Sequence, residues 1–189
     1  MVMKNRNKER ELFKKAQPFL HYDAENGRLY WKAKHSPYSK VKIGDQAGYL
    51  TKPHGYRLFM FKRKHILTHR FIFWLETNDL PIIVDHKRPE LNEAGEKDNR
   101  FSNLRAADYS GNAANQPVKA GTISGLKGIE KRKNGYVARI RKNGKRHYLG
   151  TFPTIEEAQA AYDKAAGELH GVFAWKERIT TALANVGHW

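Results

Sequence analysis

The chain has no cysteine among its 189 residues, which excludes disulfide bonds and cysteine-ligated zinc. Long apolar runs are also missing, because the longest, FIFWL and LPIIV, are far shorter than the roughly 20 residues of a membrane-spanning helix. The first residues are charged and lack the apolar stretch of a secretory signal. We therefore expect a cytoplasmic protein that has no membrane partner.

Acidic residues are few. Asp and Glu number 19 against 35 Lys and Arg, which gives a formal charge of +16 and a pI near 10.0. Such an excess is typical of proteins that bind a polyanion, and nucleic acid is the expected partner. With 29% charged residues and a mean hydropathy of -0.77, the composition predicts small modules with modest cores joined by polar segments.

The first half of the chain predicts antiparallel hairpins. Residues 1–17 are rich in Lys, Arg and Glu and indicate a solvated surface helix or a mobile basic arm. Next, YDAENGRLYWK places an Asn-Gly pair between extended flanks, and GYLTKPHGYRLFMFKRKHIL alternates like further strands. Residues 18–116 are interpreted as one β-rich region that also contains a helix and the motif described below.

The helix in this region is predicted because the spacing of apolar residues changes from the alternation of a strand to the period of a helix. Phe71, Trp74 and Leu75 share one helical face, which favours a helix from about His69 to Thr77. Thr68 is the expected N-cap.

The second half predicts a separate small domain. Residues 117–125 have small side chains and no periodicity, and we interpret them as a linker. In residues 126–175, two Asn-Gly turns separate three short strands, and a capping box at Thr154 opens a helix that Gly171 ends. Residues 176–189 form a C-terminal tail without a clear pattern. The predicted fold class is therefore α+β, with the last three strands packed as an antiparallel sheet on one helix.

Between the two halves, VDHKRPELNEAGEKDNRFSNLRAADYSGNAANQ combines an Asp-His pair with several asparagines. Hydrolysis of a phosphodiester needs an activated water, a cation and a stabilised leaving oxygen. A histidine suits the role of general base near neutral pH, and Mg²⁺ prefers the oxygen ligands of Asp and Asn. Neighbouring residues of a strand point to opposite faces, so Asp85 and His86 can approach a phosphate from different directions.

The succession THRFIFWLE, VDH, DNRFSNLR and YSGNAAN resembles the H-N-H endonucleases, particularly the phage and intron-encoded kind, which have a compact ββα-metal fold around one cation. The resemblance implies that His86 is the general base and that Asp85 is a ligand of one divalent ion, Mg²⁺ or Mn²⁺. It also implies that Asn103 ties the loop together and helps to orient the histidine. Asn112, nine residues after Asn103, is the expected second metal ligand, and Asn115 is the alternative.

Two features beside this motif need their own interpretation. The loop between His86 and Asn103 is about five residues longer than the common family pattern, and we expect an enlarged loop around an intact site. His69 and Arg70 match the family's preceding HR pair. A helix start that faces solvent or a phosphate explains this pair at least as well as a chemical role.

Residues 124–175 resemble the DNA-binding domain of plant ethylene-response factors, of the APETALA type, in YVARIR, YLGTF and EEAQAAYDKAAGELHG. The resemblance implies that the three-stranded sheet reads the major groove. Strand alternation directs Ala138 and Ile140 toward the helix and leaves the opposite face open. The expected DNA-binding residues are Arg132, Arg139, Arg141, Arg146 and Tyr148. Glu130 and Tyr148 stand where the plant domains usually carry Arg and Trp, so the plant target sequence does not transfer.

Together these patterns predict a monomeric homing-type endonuclease of a phage or its bacterial host. It would cut double-stranded DNA to 3′-hydroxyl and 5′-phosphate ends, and its C-terminal sheet would find the target. The alternative is a non-catalytic regulator that binds specific DNA on a degenerate nuclease scaffold. An RNA-binding protein is a third possibility, but the sequence shows none of the common RNA-binding surfaces.

Overall fold

The structure, a computed structural model, describes residues 2–116, 118 and 124–174. The chain divides into two compact units, Met1–Asp108 and Tyr109–Trp189. This division falls before the predicted linker, 117–125, of which only 118, 124 and 125 are described. The predicted tail, 176–189, lies outside the described residues.

Both units combine helices with antiparallel sheets, which confirms the α+β class. The first unit contains, in chain order, α1 (Val2–Ala16), β1 (Leu20–Asp23), β2 (Arg28–Trp31), β3 (Tyr49–Thr51), β4 (Tyr56–Phe61), β5 (Lys64–Leu67), α2 (Thr68–Thr77), β6 (Ile83–His86) and β7 (Leu104–Ala107). The second unit contains α3 (Tyr109–Ala114), β8 (Ile129–Arg132), β9 (Gly135–Lys142), β10 (Lys145–Phe152) and α4 (Ile155–His170). In the described residues, no helix is both long and apolar enough to cross a membrane.

The predicted hairpins of the first unit form. β1 pairs with β2, β3–β4–β5 make an antiparallel sheet, and β6 pairs with β7. Residues from these strands and from α2 share one core that includes Leu29, Phe59 and Ile72. The Asn-Gly turn predicted the first of these hairpins, and alternation predicted the further strands; Lys62 and Arg63, both with positive φ, form the turn between β4 and β5.

Residues 2–16 form helix α1, which confirms the predicted helix, but one face of this helix is packed and not solvated. Phe13 is 1% exposed, and its ring centroid lies 5.2 Å from that of Phe71 and 5.7 Å from that of Trp74. Ala16 is also fully buried. Burial of a Phe side chain contributes about 1.5–3 kcal/mol, so Phe13 favours the packing of this charged helix against the core.

Helix α2 begins one residue earlier than predicted, and Thr68 is not its N-cap. The cap position is Leu67, which is also the last residue of β5, so the strand runs directly into the helix. Thr68 already has helical conformation, and its buried hydroxyl finds no partner among the described residues. The first two turns, from Thr68 to Trp74, are buried except for Arg70, which makes α2 the central helix of the first unit.

The second unit has the predicted sheet on one helix. β9 is the central strand between β8 and β10, and α4 packs on this sheet. Tyr162 of α4 contacts the core around Ile140, and Ala158 lies in the cluster of Ala138. The hydroxyl of Thr154 accepts a hydrogen bond from the backbone N–H of Glu157 at 3.2 Å, which confirms the predicted cap.

Candidate functional site

The β6–β7 hairpin presents the Asp-His pair. Asp85 is opposite Arg105 in the register, and His86 is opposite Leu104. Both Asp85 and His86 are only 3% exposed, although one is acidic and the other titratable. Buried polar groups of this kind require specific partners, because the loss of water is otherwise costly.

Asp85 forms a buried ion pair with Arg105. Both Nε and Nη2 of Arg105 lie 2.9 Å from Oδ2 of Asp85. The guanidinium therefore fixes the orientation of the carboxylate and offsets the cost of burying its charge. A second cation, Lys97, interacts electrostatically with the same carboxylate. Burial lowers the pKa of Lys97, and the negative charge of Asp85 opposes that lowering.

His86 is a neutral imidazole whose tautomer is fixed by an asparagine. Nε2 of His86 lies 3.0 Å from Oδ1 of Asn99. Because an amide oxygen only accepts hydrogen bonds, Nε2 carries the hydrogen, and Nδ1 is the unprotonated, basic nitrogen. Burial lowers the pKa of His86 from its usual 6.5 to about 4, which keeps the ring neutral at physiological pH.

Asn99 is a site residue that no sequence pattern indicated. It is 4% exposed and lies 13 residues after His86, in an irregular loop where no periodicity signals burial. The turn between β1 and β2 holds the backbone beside it. Gly27 has a φ of +64°, and a Cβ at this position would lie 2.6 Å from the carbonyl carbon of Asn99 and 2.3 Å from the backbone nitrogen of Arg100. The β1–β2 hairpin thus packs closely against the backbone of Asn99, the residue that bonds to His86.

Asn103 closes the loop that carries Asn99. Its Oδ1 accepts from the backbone N–H of Arg88 at 2.9 Å, and its Nδ2 donates to the carbonyl oxygens of Asp98 at 2.9 Å and Arg88 at 3.2 Å. One side chain therefore joins the start of the loop to its end. The hydrogen bond of Nε2 of His86 is accepted by Asn99, whereas Asn103 bonds to the backbone at the two ends of the loop that carries Asn99.

The loop between His86 and Asn103 has a structure of its own. Asn92 and Glu96 form a closed turn, in which Asn92 donates its backbone N–H to the carbonyl of Glu96 at 2.9 Å. Glu96 is 8% exposed and accepts from Nε and Nη2 of Arg57 on β4 at 2.7 and 3.0 Å. The backbone N–H of Lys97 donates to Gly55 at 3.0 Å. These contacts fasten the loop to the β3–β4–β5 sheet and its β3–β4 turn.

His69 lies beside His86 in the interior, so the interpretation of a helix start that faces solvent is wrong for it. Its ring centroid is 4.9 Å from that of His86 and 5.4 Å from that of Tyr56. Nδ1 of His69 is buried without a hydrogen-bond partner in the described residues, and burial lowers its pKa well below 6.5. Arg70 is bound instead by the carboxylate of Glu9, with two distances of 2.8 Å.

The two candidates for the second metal ligand are in the other unit. Asn112 is a half-buried residue of α3, and Asn115, which follows α3, is 4% exposed. The division after Asp108 places both in the second unit, whereas Asp85, His86 and Asn103 are in the first. The choice between Asn112 and Asn115 therefore stays a prediction.

The donor chemistry of the site fits a hard cation. Among the residues that the structure describes, no cluster of three or more His, Cys, Asp or Glu side chains is suited to a metal. Mg²⁺ does not need such a cluster, because it is commonly bound through one or two carboxylates together with phosphate oxygens and water. Asp85 supplies a buried, oriented carboxylate for this role.

In the second unit, the expected DNA-binding residues lie on the sheet face opposite α4. Arg141 is paired in register with Arg146, and Arg139 with Tyr148, which is 63% exposed. Two of the arginines are partly neutralised, because Glu130 lies 2.8 Å from Arg132 and 3.1 Å from Arg139. The open face therefore combines one aromatic residue, two arginines without a carboxylate partner in the described residues and two that share Glu130.

Comparison with known proteins gives one informative likeness. The chain is 38% identical over 116 residues to a protein of Acanthamoeba polyphaga mimivirus named as an uncharacterized HNH endonuclease. The match covers 59% of this chain and 57% of the viral protein, so the chain spans little more than half of that relative's length. No family model and no solved structure matches the chain.

Proposed function

We propose that the chain is a metal-dependent DNA endonuclease of the H-N-H type. The observation that carries the proposal is the state of His86: a neutral imidazole beside a buried aspartate, with Nε2 bound to Asn99 and Nδ1 unprotonated. The likeness to a viral protein named as an HNH endonuclease supports the nuclease class. The charge of +16 suits a DNA substrate.

In the proposed reaction, Nδ1 of His86 takes a proton from a water molecule, whose oxygen attacks the scissile phosphorus in line. The bond from phosphorus to the 3′ oxygen breaks, and that oxygen takes a proton from solvent. The products are a 3′-hydroxyl and a 5′-phosphate. Asn99 is a positioning residue, because its Oδ1 keeps the hydrogen of the imidazole on Nε2 and so keeps Nδ1 basic. The rings of His69 and Tyr56, at 4.9 and 5.9 Å from that of His86, shield part of the imidazole from water.

A single divalent ion, Mg²⁺ or Mn²⁺, is proposed to be held by Asp85 and Asn112. When bound, it supplies positive charge that stabilises the phosphate and the departing oxygen. Arg105 sets the orientation in which Asp85 offers its carboxylate. Asn103 holds the loop and thereby the position of Asn99.

Target recognition is assigned to the open face of β8, β9 and β10. Arginine is suited to bidentate contacts with guanine, and an exposed tyrosine can pack on a sugar or base. This division into a cutting module and a reading module fits a mobile, homing-type enzyme. The sheet-on-helix fold of residues 126–174 supports the assignment, because it leaves these side chains on the face away from α4.

A cleavage assay tests the proposal. Purified protein is incubated with supercoiled DNA, with and without Mg²⁺, and the expected products are open-circular or linear DNA only when the ion is present. His86→Ala should lower the cleavage rate by about two to four powers of ten, the usual effect of losing a general base. His65→Ala, a change at an exposed histidine of β5, should cut normally. Normal cutting by His86→Ala would refute the assignment of His86 as the general base. DNA binding without cutting by the unmodified chain would favour the alternative function, a non-catalytic regulator that binds specific DNA.

A further inference from the structure

A surface groove in the first unit is not part of the site around His86. It has a volume of about 680 Å³ and lies between the segment that follows β2 and the turn from β4 to β5. Its lining combines cations, hydroxyls and two apolar side chains, and it includes His35, Ser39, Lys40, Met60, Lys62 and Arg63. Such a mixture is suited to an anionic ligand that also has an apolar surface.

The cations of the groove are available for a ligand. Lys40, Lys62 and Arg63 are exposed, and among the described residues none of the three forms an ion pair with a carboxylate. The surrounding segment, residues 28–67, has ten Lys and Arg against one Asp, a formal charge of +9. Asp45 is the one acidic residue of the segment, so most of this positive charge is unbalanced there, and a bound polyanion would relieve the mutual repulsion of the side chains.

The walls of the groove are held in place by the core. The ring of His35 packs at 5.4 Å from Trp31 and 5.3 Å from Phe61, and its Nε2 is 3.3 Å from the hydroxyl of Ser39. Lys62 and Arg63 form the turn between β4 and β5 with φ of 47° and 60°. This left-handed turn fixes the backbone from which two of the three cations project. Less conformational entropy is therefore lost when a ligand binds.

We propose that this groove binds the sugar-phosphate backbone of double-stranded DNA. The cations and the hydroxyl groups match phosphate oxygens, and Met60, which is 51% exposed, offers an apolar contact for the sugars between them. The size of the groove and the charge of the whole segment favour a polymer over a single phosphate ion. The inference rests on the proposed function in that DNA is the ligand, but it places a contact surface away from His86 and from the C-terminal sheet.

The test compares two variants of the full chain with the same change of charge. The groove variant is Lys40→Gln with Lys62→Asn and Arg63→Asn, where asparagine is chosen because it tolerates the left-handed turn. The control variant is Lys32→Gln with Lys34→Gln and Lys42→Gln, which removes three exposed lysines of the same segment that do not line the groove. Thermal melting confirms that both fold, and binding to a random DNA duplex is measured across a salt series.

The groove variant should bind the duplex more weakly, and its slope of log affinity against log salt should be smaller by about 2.7, which corresponds to three lost phosphate contacts. The control should lose clearly less. Equal losses of affinity in both variants would mean that DNA responds only to the overall positive charge of the segment. No loss of affinity in the groove variant would mean that DNA does not bind in the groove. Either result overturns the proposal. Displacement of the duplex by inorganic phosphate at equal phosphate concentration, or a preference for single-stranded RNA, would also overturn it.

Failure of the proposed nuclease function and failure of the groove proposal give different experimental results. The groove variant should keep its cleavage rate at saturating DNA, because the groove does not include His86, Asp85 or Asn99. The His86→Ala variant should lose cleavage. The groove mutations, when added to that variant, should still weaken its binding to DNA. Absence of cleavage by the unmodified chain would refute the nuclease proposal alone, because the binding comparison needs no catalysis.

Discussion

The strand that carries His86 and the open face of the C-terminal sheet differ in burial, charge and bonding. Asp85 and His86 are 3% exposed and are held by Arg105 and Asn99, whereas Arg141 and Arg146 are exposed on their strands. The buried pair needs each of its partners, because an unpaired polar group in the interior is costly. The exposed residues can change without effect on the core. Substitutions near His86 should therefore affect chemistry and stability, and substitutions on the sheet should affect affinity alone.

The largest effect is expected at the carboxylate. Asp85→Asn keeps the shape of the side chain but removes the charge that a divalent ion needs, so cleavage should be abolished or should require much more Mg²⁺. Asp45→Asn, the same change at an exposed residue, should leave the Mg²⁺ dependence unaltered. The measurement is the Mg²⁺ concentration for half-maximal cutting. An unchanged value in folded Asp85→Asn protein would remove Asp85 from the metal site.

The same titration distinguishes the two candidate ligands of the second unit. Asn112→Ala should raise the Mg²⁺ requirement, and Asn115→Ala should not. The reverse result would assign the ligand to Asn115, which is the alternative that the spacing of the motif allows.

A smaller loss is expected at Asn99. Asn99→Ala removes the acceptor that fixes the tautomer of His86, and kcat should fall about 10- to 100-fold, as for other residues that orient a reacting group, while KM for DNA stays constant. Asn99→Asp retains an acceptor oxygen and adds a negative charge near the imidazole. It should restore part of kcat and move the acidic limb of the pH profile to higher pH. Asn7→Ala, on the exposed side of α1, is the control. A merely structural role for Asn99 would lower the stability of both Asn99 variants without this pH shift.

The pH dependence of stability distinguishes the interior from the surface. Burial lowers the pKa of His69 well below 6.5 and that of His86 to about 4. Below about pH 6.5 the unfolded chain binds protons that the folded chain does not, so the free energy of unfolding decreases as the pH falls toward the folded-state pKa values. Each histidine contributes a slope of about 1.4 kcal/mol per pH unit in this window.

His69→Phe removes one of these groups and keeps an aromatic ring against His86 and Tyr56. Chemical denaturation at several pH values between 7 and 5 should show a shallower loss of stability than in the unmodified chain. His65→Phe, at an exposed position, should retain the original slope. An unaltered slope in His69→Phe would mean that folding does not lower the pKa of His69.

Local rules explain which features could be predicted from the sequence. The hairpins follow from Asn-Gly turns and alternation, and the start of α4 follows from Thr154, because each depends on residues within a few positions. The sequence also indicated that Asp85, His86 and Asn103 belong together, and the structure places all three at the β6–β7 hairpin and its loop. Their chemical roles stay predictions.

The features that were missed depend on contacts between distant segments. Phe13 is buried only because α2, more than fifty residues later, provides Phe71 and Trp74. Asn99 reaches His86 because the β1–β2 turn at Gly27 approaches the loop backbone, and no local pattern encodes that approach. The failure of Thr68 as a cap has a similar origin, since the direct passage of β5 into α2 is set by the sheet that β5 joins.

The smallest effect is expected at Glu130, the only acidic residue of β8, β9 and β10. Its carboxylate is paired with Arg132 and Arg139 and is about half exposed, so its loss should change stability little, because exposed ion pairs contribute about 0–1 kcal/mol. Glu130→Gln removes a negative charge that repels phosphates and releases two arginines for the DNA. Affinity for duplex DNA should therefore rise by a few-fold, on the order of 1 kcal/mol or less, with a slightly steeper dependence on salt. The control is Glu156→Gln on α4, which alters the net charge equally on a different element. If both substitutions strengthen binding to the same extent, only the net charge matters, and the open face of the sheet is not the surface that meets the DNA.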